Sequence, residues 1–99
     1  MAHMTVELRR AHGGDVVETL HPSGANVAGL LPDLGDLAYP LLRLIDPYDV
    51  TEFSSNQMIG LLPELQRLYE ASHEPLLRQV IELVELSRVH GYYLAFIGD

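Results

Sequence analysis

No cysteine occurs anywhere in the chain, which excludes a disulfide framework, a thiolate metal site and a cysteine nucleophile together. Lysine is absent too, so fourteen Asp and Glu stand against six Arg and the formal net charge is −8. A nucleic-acid binder must supply cations to replace the counterions that leave the phosphates. Nucleic acid is therefore not an expected partner, and an anionic membrane surface is disfavoured for the same reason. Long apolar runs are also missing. Pro, Gly or charge interrupts each one well short of the ~20 residues that a membrane span requires, and no charged segment leading into an apolar one opens the chain. The expectation is a soluble, cytoplasmic protein without membrane contact. Finally, there is no G-x-S-x-G, no P-loop and no dinucleotide fingerprint, since His12-Gly13-Gly14-Asp15 is too short and lacks a following helix. Serine nucleophile, nucleoside triphosphatase and Rossmann readings fall away.

What remains is 99 residues, 47% of them hydrophobic, enough for one globular domain that buries ~65% of the surface of its unfolded chain. Met1-Ala2-His3-Met4 reads as a cloning scar ahead of a native start at Met4, which leaves a single domain over 5–99. "TVELRR" alternates apolar Val6 and Leu8 with polar neighbours, the period of a half-buried strand. Gly13 and Gly14 supply a tight turn, and "DVVETL" returns, predicting a hairpin over 4–21. Residues 22–36 predict an ordered loop pinned by leucines. In "DLAYPLLRLIDP", Leu37, Leu41, Leu44 and Ile45 recur at helical spacing before Pro47, predicting a short helix, with a strand over 41–45 as the alternative.

Met58, Leu61, Leu62, Leu65, Leu68 and Tyr69 then form one helical face, with Ser54 or Ser55 as cap and a kink or restart expected at Pro63. A second helix starts near Pro75, capped by Ser72 or His73, and runs to Gly91. The closing "GYYLAFIGD" is aromatic, β-branched and nearly free of polar groups, as suits the middle of a small sheet. The fold class expected is α+β: a three-stranded antiparallel sheet, made of the N-terminal hairpin and the C-terminal strand, with two to three helices packed on one face.

Charge and motif coincide in the centre. Asp33, Asp36, Asp46, Asp49 and Glu52 oppose only Arg43 between residues 33 and 52, so five acids less one Arg place net −4, half the total, in this fifth of the chain. Within it, "DPYDVTEFSSNQM" has two readings. As a joint between helices, Asp46-Pro47 starts a turn, Tyr48 and Phe53 are buried, Thr51 and Phe53 can form a short extended segment, and the Ser-Ser-Asn cluster starts the next helix. As a site, Asp46, Asp49 and Glu52 crowd carboxylates that could bind a hard cation, act as acid or base, or receive Arg and Lys from a partner. The calcium version departs from the EF-hand pattern of alternating ligands around a central Gly. His12, His21, His73 and His90 show no metal-ligand spacing; His73 reads as a helix-cap candidate and His90 as a helix C-terminal residue, and a His meeting Asp46 or Glu52 as an acid–base pair is the open alternative.

Asp46, Pro47, Tyr48, Thr51, Phe53 and Gln57 together match an Asp-Pro-Tyr-x-x-Thr-x-Phe-x-x-x-Gln pattern. On this pattern and the closing "YYLAFIGD" the chain resembles a group of small acidic proteins from high-GC actinobacteria. Asp49 and Val50 depart from the Gly-Asp usual there, and Ser54 replaces an Asn. The resemblance covers the last 60 residues or so and implies no established activity. The leading functional expectation is a non-enzymatic interaction module, in its most concrete form an immunity or antitoxin protein. Its basic protein partner would be met by Asp33, Asp36, Asp46, Tyr48, Asp49 and Glu52, with no catalytic residue, no metal and no cofactor. The alternative is a small enzyme or a ligand- or metal-binding domain whose carboxylate site lies over 46–57.

Overall fold

The computed structural model describes residues 4–10, 13–20, 31–32, 36–46 and 48–98. The fold is α+β, as expected, with four strands among the described residues rather than the three expected. Strands β1 (Met4–Arg9) and β2 (Val16–Leu20) form the predicted hairpin. Gly13 and Gly14 take the positive φ of its turn, and the Arg10 amide donates to the Asp15 carbonyl at 2.9 Å. Val50–Phe53 is a further strand, β3, and Tyr93–Gly98 is β4. The order is β2-β1-β4-β3, antiparallel at each step. As expected, the last strand is central, with Leu94, Ala95 and Phe96 buried.

The register sorts the two sheet faces. Val6 lies opposite Phe96, while Leu8 and Phe53 lie on either side of Leu94. These residues point together into one core with the buried face of the helices. Period-two alternation is therefore expressed directly: Met4, Val6 and Leu8 are buried, whereas Thr5, Glu7 and Arg9 are half-buried on the opposite face.

Helices α1 (Ser55–Ser72) and α2 (Pro75–His90) form an antiparallel pair over the inner face. Ser54 caps α1 through a capping box. Its Oγ accepts from the Gln57 amide at 3.4 Å, and Gln57 Oε1 accepts from the Ser54 amide at 2.9 Å. The restart expected at Pro63 does not occur. The helix runs through it, with the proline ring exposed and the Met58, Leu61 and Leu65 face buried beneath. Tertiary burial of that face outweighs the one missing backbone bond. His73 does not cap α2. It ends α1 in the left-handed region at φ 54°, and Glu74 is the cap residue of α2, with Pro75 in its first turn. Gly91 closes α2 at φ 71°, as its position predicts.

The predicted helix over 37–45 is replaced by turns and a short 3-10 stretch, Leu42–Leu44. Its supposed apolar face is not one face at all: Leu42 and Ile45 are buried, while Leu37 and Leu44 are 79% and 50% exposed. The strand alternative for 41–45 is likewise not formed; the fourth strand comes from the motif that follows.

Candidate partner-binding site

The segment leading to the motif is held from outside itself. Glu64, on α1, is only 3% exposed. Its carboxylate accepts the Leu41 amide at 3.0 and 3.2 Å and the Leu42 amide at 3.0 Å, which serves the first turn of the 3-10 stretch as a cap residue would. One turn further along α1, Arg67 donates to the Ala38 carbonyl at 2.6 Å, and its guanidinium lies 5.3 Å from the centre of the Tyr39 ring. At Gly60 the helix has no side chain to obstruct this segment, since a Cβ there would meet Leu41 Cδ1 at 3.0 Å. One helix face thus presents an acid for two amides and a cation for a carbonyl and a ring.

From this anchored base the chain turns at Asp46. Asp46 Oδ1 accepts the Tyr48 amide at 2.9 Å, and the Asp46 carbonyl accepts the Asp49 amide at 3.3 Å. The Asp46 amide in turn donates to Thr51 Oγ1 at 3.0 Å. An Asx turn and a side-chain clamp therefore fix the loop before β3 begins. Phe53 is buried, meeting Phe96 edge to face at a centroid distance of 5.7 Å. The half of the joint reading that rests on Phe53 holds.

Tyr48 does not follow it. The ring expected to be buried is 74% exposed. The reason lies in the turn: the two bonds of Asp46 reverse the chain so that Tyr48 sits on the outside of the bend, while core space is filled by Leu42, Ile45 and Phe53. Asp46, Asp49, Val50 and Glu52 are exposed around it. The structure so gathers four of the expected residues, Asp46, Tyr48, Asp49 and Glu52, on one bonded turn and strand. Asp36 is half-buried, and its Oδ1 accepts the Ala38 amide at 3.0 Å, so this carboxylate serves the turn below. Asp33 lies outside the described residues.

Behind Glu52 a shallow open depression of about 430 Å³ is lined by Glu52, Ser54, Ser55, Gln57, Gly91 and Tyr93. Beyond it on the outer sheet face, Arg9 pairs with Glu7 at 2.6 Å. Arg9 donates to the Glu7 carboxylate, and this hydrogen bond, followed by the one with Tyr93, holds its guanidinium above the ordinary arginine pKa. Among the described residues no three His, Asp or Glu side chains come together as a metal site would require. His90 stacks on Tyr92 at 5.2 Å and His73 meets Tyr69 edge to face, both at helix ends. No described helix is long and apolar enough to cross a membrane.

Comparison with protein-family models, with curated proteins and with solved structures finds no match. Geometry alone then bears on function. Sequence reasoning missed Glu64, the residue that anchors the site from below. A signal existed, because Glu64 falls three residues after Leu61 and four before Leu68, on the face that a helix of this pattern turns inward.

Proposed function

We propose that this chain is a small acidic protein-interaction module that engages a basic protein partner through its 46–52 segment, and that an immunity or antitoxin protein is its most concrete form. The exposure of Tyr48 carries the reading. An aromatic ring held 74% in solvent by an ordered turn, beside half-exposed Val50 and the carboxylates of Asp46, Asp49 and Glu52, has no role in the core. Tyrosine gives a large contact area at small entropic cost and is enriched at interface centres. The surrounding acids supply steering and select against acidic partners.

The test uses the wild-type protein and the Asp46→Lys/Asp49→Lys/Glu52→Lys variant as bait in a lysate of the source cell. The expected result is a basic protein retained by the first and lost from the second, with an association rate that falls as salt rises. If that protein arrests growth when expressed alone and not with this chain, the antitoxin form is supported. Equal retention by both baits, or none by either, overturns the proposal.

A further inference from the structure

The outer edge of β3 is a backbone surface, and its bonding pattern can be worked out residue by residue. The Gly98 amide donates to the Asp49 carbonyl at 2.8 Å, so the Asp49–Gly98 pair is of the hydrogen-bonded type. Antiparallel pairs alternate. The register then turns the amides and carbonyls of Thr51 and Phe53 toward β4, and those of Val50 and Glu52 away from it. Two outward amides bracketing the strand are already occupied by side chains: Val50 by Asp49 Oδ1 at 2.7 Å, and Ser54 by Gln57 Oε1 at 2.9 Å. Between them the Glu52 amide and carbonyl have no partner among the described residues.

The two sheet edges are therefore managed differently. On β2 the register shifts where Leu8 and Arg9 face it, a bulge of the kind that blunts an edge against pairing. On β3 the ladder is regular, and the occupied amides carry removable caps. A second copy of this chain is a poor occupant. Its own β3 carries the same Asp49 and Glu52, so pairing would crowd four carboxylates along one short ladder, and like charges close together across a strand pair are unfavourable. A strand with Arg or Lys beside Asp49 and Glu52 faces the opposite situation.

We propose that this edge is a strand-addition site for an extended basic segment of a protein partner, registered on the free amide and carbonyl of Glu52. It rests on the reading above that the partner is basic. The added strand exchanges two hydrogen bonds with Glu52 first. A cationic side chain beside Asp49 then draws that carboxylate off the Val50 amide, which becomes available as the next rung. Because Val50 and Glu52 side chains both lie on the outer face, the segment that fits best carries an apolar residue opposite Val50 and, two positions away on the same face, a cation opposite Glu52.

The probe is a synthetic peptide of repeating Arg-Thr-Val-Thr, which puts Arg and Val in turn on one strand face, compared with one of repeating Glu-Thr-Val-Thr. With the Arg peptide at saturation, amide exchange followed by NMR should slow at Glu52 and Val50 by about tenfold or more and stay unchanged at Thr51, whose amide already faces β4. The Glu peptide should leave all three unchanged. Two variants separate charge from backbone. Glu52→Gln removes the charge and keeps the amide, whereas Glu52→Pro also removes the amide on the side where an edge strand tolerates proline. Glu52→Pro should bind the Arg peptide about tenfold more weakly than Glu52→Gln, having lost a rung that Gln retains. Should Glu52→Pro fail to fold, methylating alternate peptide amides makes the same comparison on the wild-type protein: one set abolishes binding and the other does not. Unchanged exchange at Glu52, equal affinity of the two variants or indifference to peptide methylation overturns strand addition. A basic protein lost only on charge reversal would then still support the docking reading, so the two can fail separately.

Discussion

Replacing Glu64 by alanine removes the acceptor for two amides that the fold keeps from water. Leu42 is fully buried and the Leu41 amide partly so. Leaving a buried donor unsatisfied costs ~1–3 kcal/mol, and bonds to a charged acceptor lie at the upper end of the scale. Relief of the carboxylate's own desolvation offsets part of this. The net expectation is a loss of ~2–3 kcal/mol, a large share of the ~5–15 kcal/mol typical of a domain. Glu70→Ala, at an exposed position on the same helix, should cost no more than ~0.5 kcal/mol. Glu64→Gln keeps one carbonyl oxygen for the amides and should fall between the two. The measurement is urea unfolding of the three variants, with amide exchange at Leu41 and Leu42. Both amides should lose protection in Glu64→Ala. If Glu64→Ala and Glu70→Ala are equally stable and the two amides exchange as in wild type, the buried carboxylate is not the anchor described above.

Phe53→Ala should cost ~3–5 kcal/mol in the same unfolding assay, because it empties a buried site in contact with Phe96. Tyr48→Ala should leave stability within ~0.5 kcal/mol of wild type while weakening retention of the basic partner; a comparable loss of stability would mean that its ring is not in solvent. Gly91→Ala should cost ~1 kcal/mol by thermal or urea unfolding; a Cβ there meets nothing within 4 Å, so the cost is that of the left-handed backbone alone.

The elements legible in the sequence are those whose pattern is local. Alternation over 4–9 gives β1, the Ser54-Ser55 pair gives the start of α1, and Pro75 and Gly91 bracket α2. β3 is legible only as the short extended segment that Thr51 and Phe53 suggest; its membership of the sheet is not, since four residues carry too little pattern and its partner β4 lies some forty positions away. The 37–45 helix fails because the leucine spacing that suggests it is satisfied differently: Glu64 and Arg67 take the segment's backbone groups, and the leucines divide between core and solvent. In the candidate site the exposure of Asp46, Asp49 and Glu52 follows from their charge. That of Tyr48 does not follow from its type, and only the Asp46 turn decides it.

The place of β4 between β1 and β3 has a consequence for how the molecule is made. β4 follows every other described element in the chain, yet it alone touches both halves of the sheet. During vectorial synthesis the β1–β2 hairpin and the α1–α2 pair emerge first, with no strand to join β1 to β3. Until Tyr93–Gly98 clears the ribosome, Val6, Leu8 and Phe53 lack Leu94 and Phe96, the strand neighbours that complete their side of the core. A nascent chain stalled before Tyr93 therefore presents open apolar edges, the form that holdase chaperones and proteases recognise.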